Sequence, residues 1–133
     1  METAEEEAWK ENFLHDINDM VGEIIKILNR QLPKDKEFRW WAGLRVFNYQ
    51  DYAGITLIDM INRDDGPSFS FRPNKPENQK IKWELISFAH PKKGKREVLG
   101  IFPVSHRDLY TKKELERVKN SLVTKILDYL NQS

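Results

Sequence analysis

In the run Phe38-Arg39-Trp40-Trp41-Ala42-Gly43-Leu44-Arg45-Val46-Phe47, cations are interleaved with large rings, and Tyr49 follows shortly after. In an extended strand, successive side chains point to opposite faces. Arg39, Trp41, Arg45 and Phe47 then share one face. That set of residues is suited to two chemistries. Rings on a sheet flanked by cations can stack unpaired bases while the cations meet phosphates. Trp, Tyr and Arg are also the residue types that dominate protein–protein hot spots. A third, purely structural possibility is a sheet covered on both faces, with Trp41 in an ordinary core. Phe38, Trp40, Ala42, Leu44 and Val46 form the opposite, wholly apolar set, which assigns Trp40 to the core.

Lys82, Glu84, Ile86, Phe88 and His90 fall on one side of a later strand and can extend the aromatic and cationic face. The turn Lys92-Lys93-Gly94-Lys95-Arg96 is a second basic feature. A cationic hairpin tip can lie along a phosphate backbone, although lysines in exposed turns also keep the turn solvated and discourage edge pairing. The candidate binding residues are therefore Arg39, Trp41, Arg45, Phe47, Tyr49, Lys92, Lys93, Lys95 and Arg96.

Two carboxylates raise a catalytic alternative. Asp59 interrupts the apolar run Ile55-Thr56-Leu57-Ile58-Asp59-Met60-Ile61, and Glu84 with Lys82 lies on another candidate strand. Carboxylates on neighbouring strands with a lysine can hold magnesium at a phosphodiester. Against this, Lys82-Trp83-Glu84 reverses the Glu-x-Lys order usual in such nuclease centres, and a strand end accounts for Asp59 as well. Asp64-Asp65-Gly66 lacks the alternating oxygens and distal glutamate of a calcium loop and reads as a hairpin turn. His15, His90 and His106 show no metal-ligand spacing. The sequence has no Gly-x-Ser-x-Gly elbow and no glycine-rich phosphate loop. It points away from conventional catalysis, and no cofactor or metal is expected.

These residues need elements to position them. The 133 residues suit one domain, 1–133, with 39% hydrophobic and 11% aromatic residues, which favours a folded core over disorder. Thr3 and Glu6 form a capping-box pattern ahead of a helix over about 3–31. The apolar stripe of that helix is Trp9, Phe13, Ile17, Met20, Ile24 and Leu28, widened by Leu14, Val21, Ile25 and Leu32. Strands are expected over 37–47, 54–61, 68–72, 81–90 and 96–104, joined by short turns that favour antiparallel neighbours. Pro103 marks the last as an edge strand or its end. Gly43, Gly54 and Gly100 suggest bulges or close backbone approach. Thr111 and Glu114 repeat the capping pattern before a second helix over 112–131, with Leu115, Val118, Leu122, Ile126, Tyr129 and Leu130 inward. The expected fold class is α+β: a five-stranded, mainly antiparallel meander with both helices on one face.

Composition limits the partners. Lys and Arg number 22 against 21 Asp and Glu, so the chain lacks the global field that draws proteins to nucleic acid or anionic lipid. The absence of cysteine removes thiol chemistry and fits a reducing compartment. The acidic start and the lack of a long apolar run argue against a secretory signal or a membrane span, which places the protein in the cytoplasm. The expectation is a non-catalytic interaction module, a small inhibitor or adaptor. It would use the Trp41 face to bind a protein partner or form a homodimer. The alternatives are single-stranded nucleic acid or RNA on the same face, and a magnesium nuclease built on Asp59 and Glu84.

Overall fold

A computed structural model describes residues 4–44, 52–74, 84–103 and 112–132, apart from the side chains of 5–10 and 112. Seven elements follow in order: α1 (Ala4–Gln31), β1 (Lys36–Ala42), β2 (Ala53–Asp59), β3 (Asp64–Asn74), β4 (Glu84–His90), β5 (Glu97–Pro103) and α2 (Lys112–Asn131). The strands form one antiparallel sheet in sequence order, β1-β2-β3-β4-β5. This is the meander that the short connections favour.

Both helices form because their apolar residues recur at helical spacing, and both bury that stripe against the same side of the sheet. Phe13, Ile17, Met20, Ile24 and Leu28 of α1 are buried, as are Leu115, Val118, Leu122 and Ile126 of α2. From the sheet, Phe38, Ile55, Phe69, Phe71 and Leu85 complete the core. Phe69 is the central ring: Phe38 lies 5.9 Å from it and Tyr129 meets it edge-on at 5.5 Å. Lys119 Nζ of α2 donates across to Glu23 of α1 at 2.9 Å and within its own helix to Glu116 at 2.8 Å. These bonds raise the ammonium pKa above the usual lysine value. The side chains of Trp9 and Glu6, and all of Thr3 and Thr111, lie outside the described residues.

Three irregularities in register shape the sheet. Trp40 pairs with Ile55 and Ala42 with Gly54, which leaves Trp41 as the extra residue of a bulge. Thr56 pairs with Ser68 and Ile58 with Asp65, so Gly66 and Pro67 both face Leu57. A bulge is one of the few places in a sheet that tolerates a proline. The third shift separates Ser87–Gly100 from Phe88–Val98.

The second irregularity corrects a sequence expectation. Asp64-Asp65-Gly66 is not the hairpin turn but the start of β3. The chain reverses at Met60–Arg63, where Arg63 takes a left-handed φ of 52°. Asp59 sets that turn: its Oδ1 accepts from the N–H of Ile61 and of Asn62, both at 3.1 Å. Its Oδ2 accepts from the Asn62 side chain at 2.9 Å. An aspartate that satisfies the backbone beyond it initiates a turn on its own, ahead of the Gly-Pro signal.

Candidate functional site: the sheet face opposite the helices

With the helices on one side, no described element packs on the other side of the sheet. Register assigns its residues. Arg39 faces Thr56 across β1 and β2; Ser68, Ser70 and Arg72 follow on β3; Glu84, Ile86, Phe88 and His90 follow on β4; Val98 and Ile101 follow on β5.

Trp41 belongs to this face and is 62% exposed. Gly54 makes room for it: a Cβ at Gly54 would lie 2.7 Å from Trp41 Cε3. The missing side chain lets the indole lie against the strand. Its ring stands 5.4 Å from that of Tyr52, and the Arg72 guanidinium lies 4.4 Å from the Tyr52 ring centre. A similar group occupies the far half of the face. Arg96 stacks at 4.3 Å over Phe88, which neighbours His90 at 6.5 Å. Ser70 Oγ and His90 Nε2 share a hydrogen bond of 2.9 Å. Partial burial, reinforced by Arg96 and Arg72, lowers the His90 pKa and favours the neutral imidazole.

Trp40 departs from the core assignment made from its apolar set. It points to the helix side as alternation requires, but it is 45% exposed. It stands near the outer edge of β1, where α1 offers Gly22, Glu23 and Lys26 rather than its apolar stripe. A Cβ on Gly22 would touch Trp40 Cζ2 at 3.7 Å. A cleft of about 940 Å³ opens here between α1 and β1, walled by both tryptophans.

The structure brings Arg39, Trp41, Phe88 and Arg96 onto one face. Arg39 is held by Glu37, Nε to Oε1 at 2.5 Å. Lys92 pairs with Asp64, whereas Lys93 and Lys95 project into solvent at the β4–β5 turn. Arg45, Phe47 and Tyr49 lie outside the described residues, as does Lys82. Asp59 and Glu84 do not meet: Asp59 pairs with Asp64 at the start of β3, and Glu84 with Asn74 at its far end. An eleven-residue strand separates them, so they cannot share a metal ion. Hydrogen bonds from Asn62 lower the Asp59 pKa, and Glu84 accepts from the Asn74 side chain at 2.7 Å. Among the described residues, no group of three metal-ligating side chains converges.

Sequence reading missed Tyr52 and Arg72. Tyr52 falls between the strands expected over 37–47 and 54–61, although it continues the alternation Gly54, Thr56, Ile58 backward. Arg72 is the last residue of the strand expected over 68–72, although it stands two residues from Ser70 on the same face. No helix among the described residues is long and apolar enough to cross a membrane. No protein-family model matches the chain, and neither the curated proteins nor the solved structures yielded a match.

Proposed function

We propose that the protein is a non-catalytic, cytoplasmic interaction module that binds a protein, either a different chain or a second copy, through the sheet face opposite its helices. The carrying observation is Trp41, a ring 62% exposed yet held in place by Gly54 and Tyr52. A side chain ordered before binding loses little further entropy on association, which makes a large ring an effective anchor. Val98 and Ile101, each more than half exposed, continue the apolar surface. Arg72 and Arg96 supply planar hydrogen-bond donors at fixed positions.

The same geometry weighs against base stacking. A stacking platform needs free ring faces. A guanidinium already lies over each of Tyr52 and Phe88, which leaves Trp41 as the exposed ring of this group. The net charge of +1 adds no general attraction to phosphate.

The test compares partners captured from the native cell by the wild-type chain and by Trp41→Ala. The reading expects a captured protein whose affinity falls by more than ~1 kcal/mol in the variant, with capture surviving nuclease treatment. Capture that nuclease abolishes, or that Trp41→Ala leaves unchanged, contradicts it.

A further inference from the structure

An edge strand presents unpaired N–H and C=O groups that can template another strand. The two edges of this sheet differ in how those groups are satisfied. On β1 the carboxamides of α1 close the edge. Phe38 N–H donates to Asn29 Oδ1 at 2.7 Å, and Asn29 Nδ2 donates back to Phe38 O at 3.2 Å. Leu44, just beyond β1, makes the same reciprocal pair with Asn18, its N–H reaching Oδ1 at 3.0 Å. A carboxamide carries one acceptor and a donor group in a plane, as a peptide does, and so stands in for a neighbouring strand. At β5, among the described residues, no hydrogen bond reaches the outer edge.

The surroundings of β5 are apolar along the strand and, despite Glu97 at its first position, predominantly cationic just before it, with Lys93, Lys95 and Arg96. Val98 is 55% and Ile101 54% exposed. Lys93, Lys95 and Arg96 form no ion pair among the described residues, and Arg96 is held over Phe88. Strand pairing satisfies the backbone, while pockets and charges select the sequence.

We propose that the outer edge of β5 takes an extended segment of a partner protein as a sixth, antiparallel strand. The segment has apolar residues over Val98 and Ile101 and carboxylates at its C-terminal end, beside Lys95 and Arg96. A second copy fits less well. In an antiparallel self-pairing centred on Gly100, Glu97 falls opposite Pro103, away from the other copy's Lys95 and Arg96, so the cations gain no carboxylate from the described strand. Val98, Ile101 and Arg96 also line the sheet face, but strand addition uses the β5 backbone, and Trp41 stands on β1 at the opposite edge. Trp41→Ala therefore leaves strand addition intact, and its loss of partner binding is distinguishable from a failure at β5.

The test uses two labelled peptides of alternating valine and threonine, one ending in glutamates and the other in lysines. Fluorescence anisotropy gives affinity, and hydrogen exchange locates the bound segment. The glutamate peptide binds at least about tenfold more tightly and slows exchange across Glu97–Pro103. The double variant Lys93→Glu/Lys95→Glu, altered only at turn lysines that project into solvent, reverses the preference. No binding of the glutamate peptide up to millimolar concentration overturns the proposal, as does protection elsewhere or a preference unchanged by charge reversal. Concentration-dependent protection of β5 without peptide, or stronger protection by an oligothymidylate, overturns it in favour of a second copy or of nucleic acid.

Discussion

β1 and β5 are the two edges of one meander, and the chain treats them oppositely. Both strands run seven residues and both carry a register shift, but among the described residues only β1 has a helix, α1, running alongside it in the reverse direction. Asn29 meets Phe38 near the start of β1, and Asn18 meets Leu44 just past its end. The helix rises ~16 Å between its two asparagines, and the strand covers ~20 Å between their targets. The bulge at Trp41 shortens the strand toward the helical rise. Among the described residues β5 has no such companion: α2 packs on the core side of the sheet, and Val98 and Ile101 stay exposed. A meander necessarily leaves two edges, and here a helix side chain that imitates a peptide group closes one of them.

The largest effect should come from breaking the closed edge. Asn29→Ala and Asn18→Ala each leave a half-buried N–H and C=O without their partner, at ~1–3 kcal/mol apiece. Urea unfolding should show both losses. A loss below ~0.5 kcal/mol for each would mean that water replaces the carboxamides and the two edges are equivalent.

A smaller effect is expected where the bulge seats Trp41. Gly54→Ala places a methyl where the indole lies, at 2.7 Å from Cε3. Displacing the ring should cost ~1 kcal/mol, the low end for overpacking. The Trp41 indole resonance should shift while amide exchange in β5 stays as it was. An unmoved resonance would show that Trp41 does not rest on Gly54.

The smallest effect concerns the β5 half. The His90 pKa is lowered by partial burial and by Arg96 and Arg72. The neutral ring is therefore the form compatible with the fold. Its contribution is fully present above the unfolded value of ~6.5 and is lost as the pH falls below it. Exchange in β4 and β5 should quicken below that pH before exchange in β1 and β2 does, and His90→Gln should flatten the difference. Equal acceleration in all strands would argue against a local origin.

Much of this architecture was legible from periodicity. The α1 stripe from Phe13 to Leu28 and the α2 stripe from Leu115 to Ile126 are buried as spaced. Pro103 ends an edge strand. Gly54 and Gly100 stand at register shifts. The misplaced turn shows where local reading fails: Asp59 and Gly66-Pro67 both carry turn chemistry, and only their hydrogen bonds reveal which one reverses the chain. Of the candidate face, Trp41 was visible from alternation. Tyr52 and Arg72 became visible only once the strand boundaries were known.

Asn18 and Asn29 left a fainter sign. Asparagine is a poor residue for a helix interior because it competes for backbone groups. α1 carries three, the exposed Asn12 and these two, and such conflicts with local propensity often mark tertiary work.

The sequence by itself determined the elements, their order and their buried sides, because alternation and helical spacing are properties of neighbours along the chain. The tertiary structure alone decided the fates of the two tryptophans. Trp40, in a wholly apolar set, is half exposed because α1 opposes it with glycine and charge. Trp41 is ordered though exposed, because Gly54 of β2 and Tyr52 just before that strand come from elsewhere along the chain. Burial depends on what arrives from elsewhere in the fold, and a pattern within one strand carries no information about that.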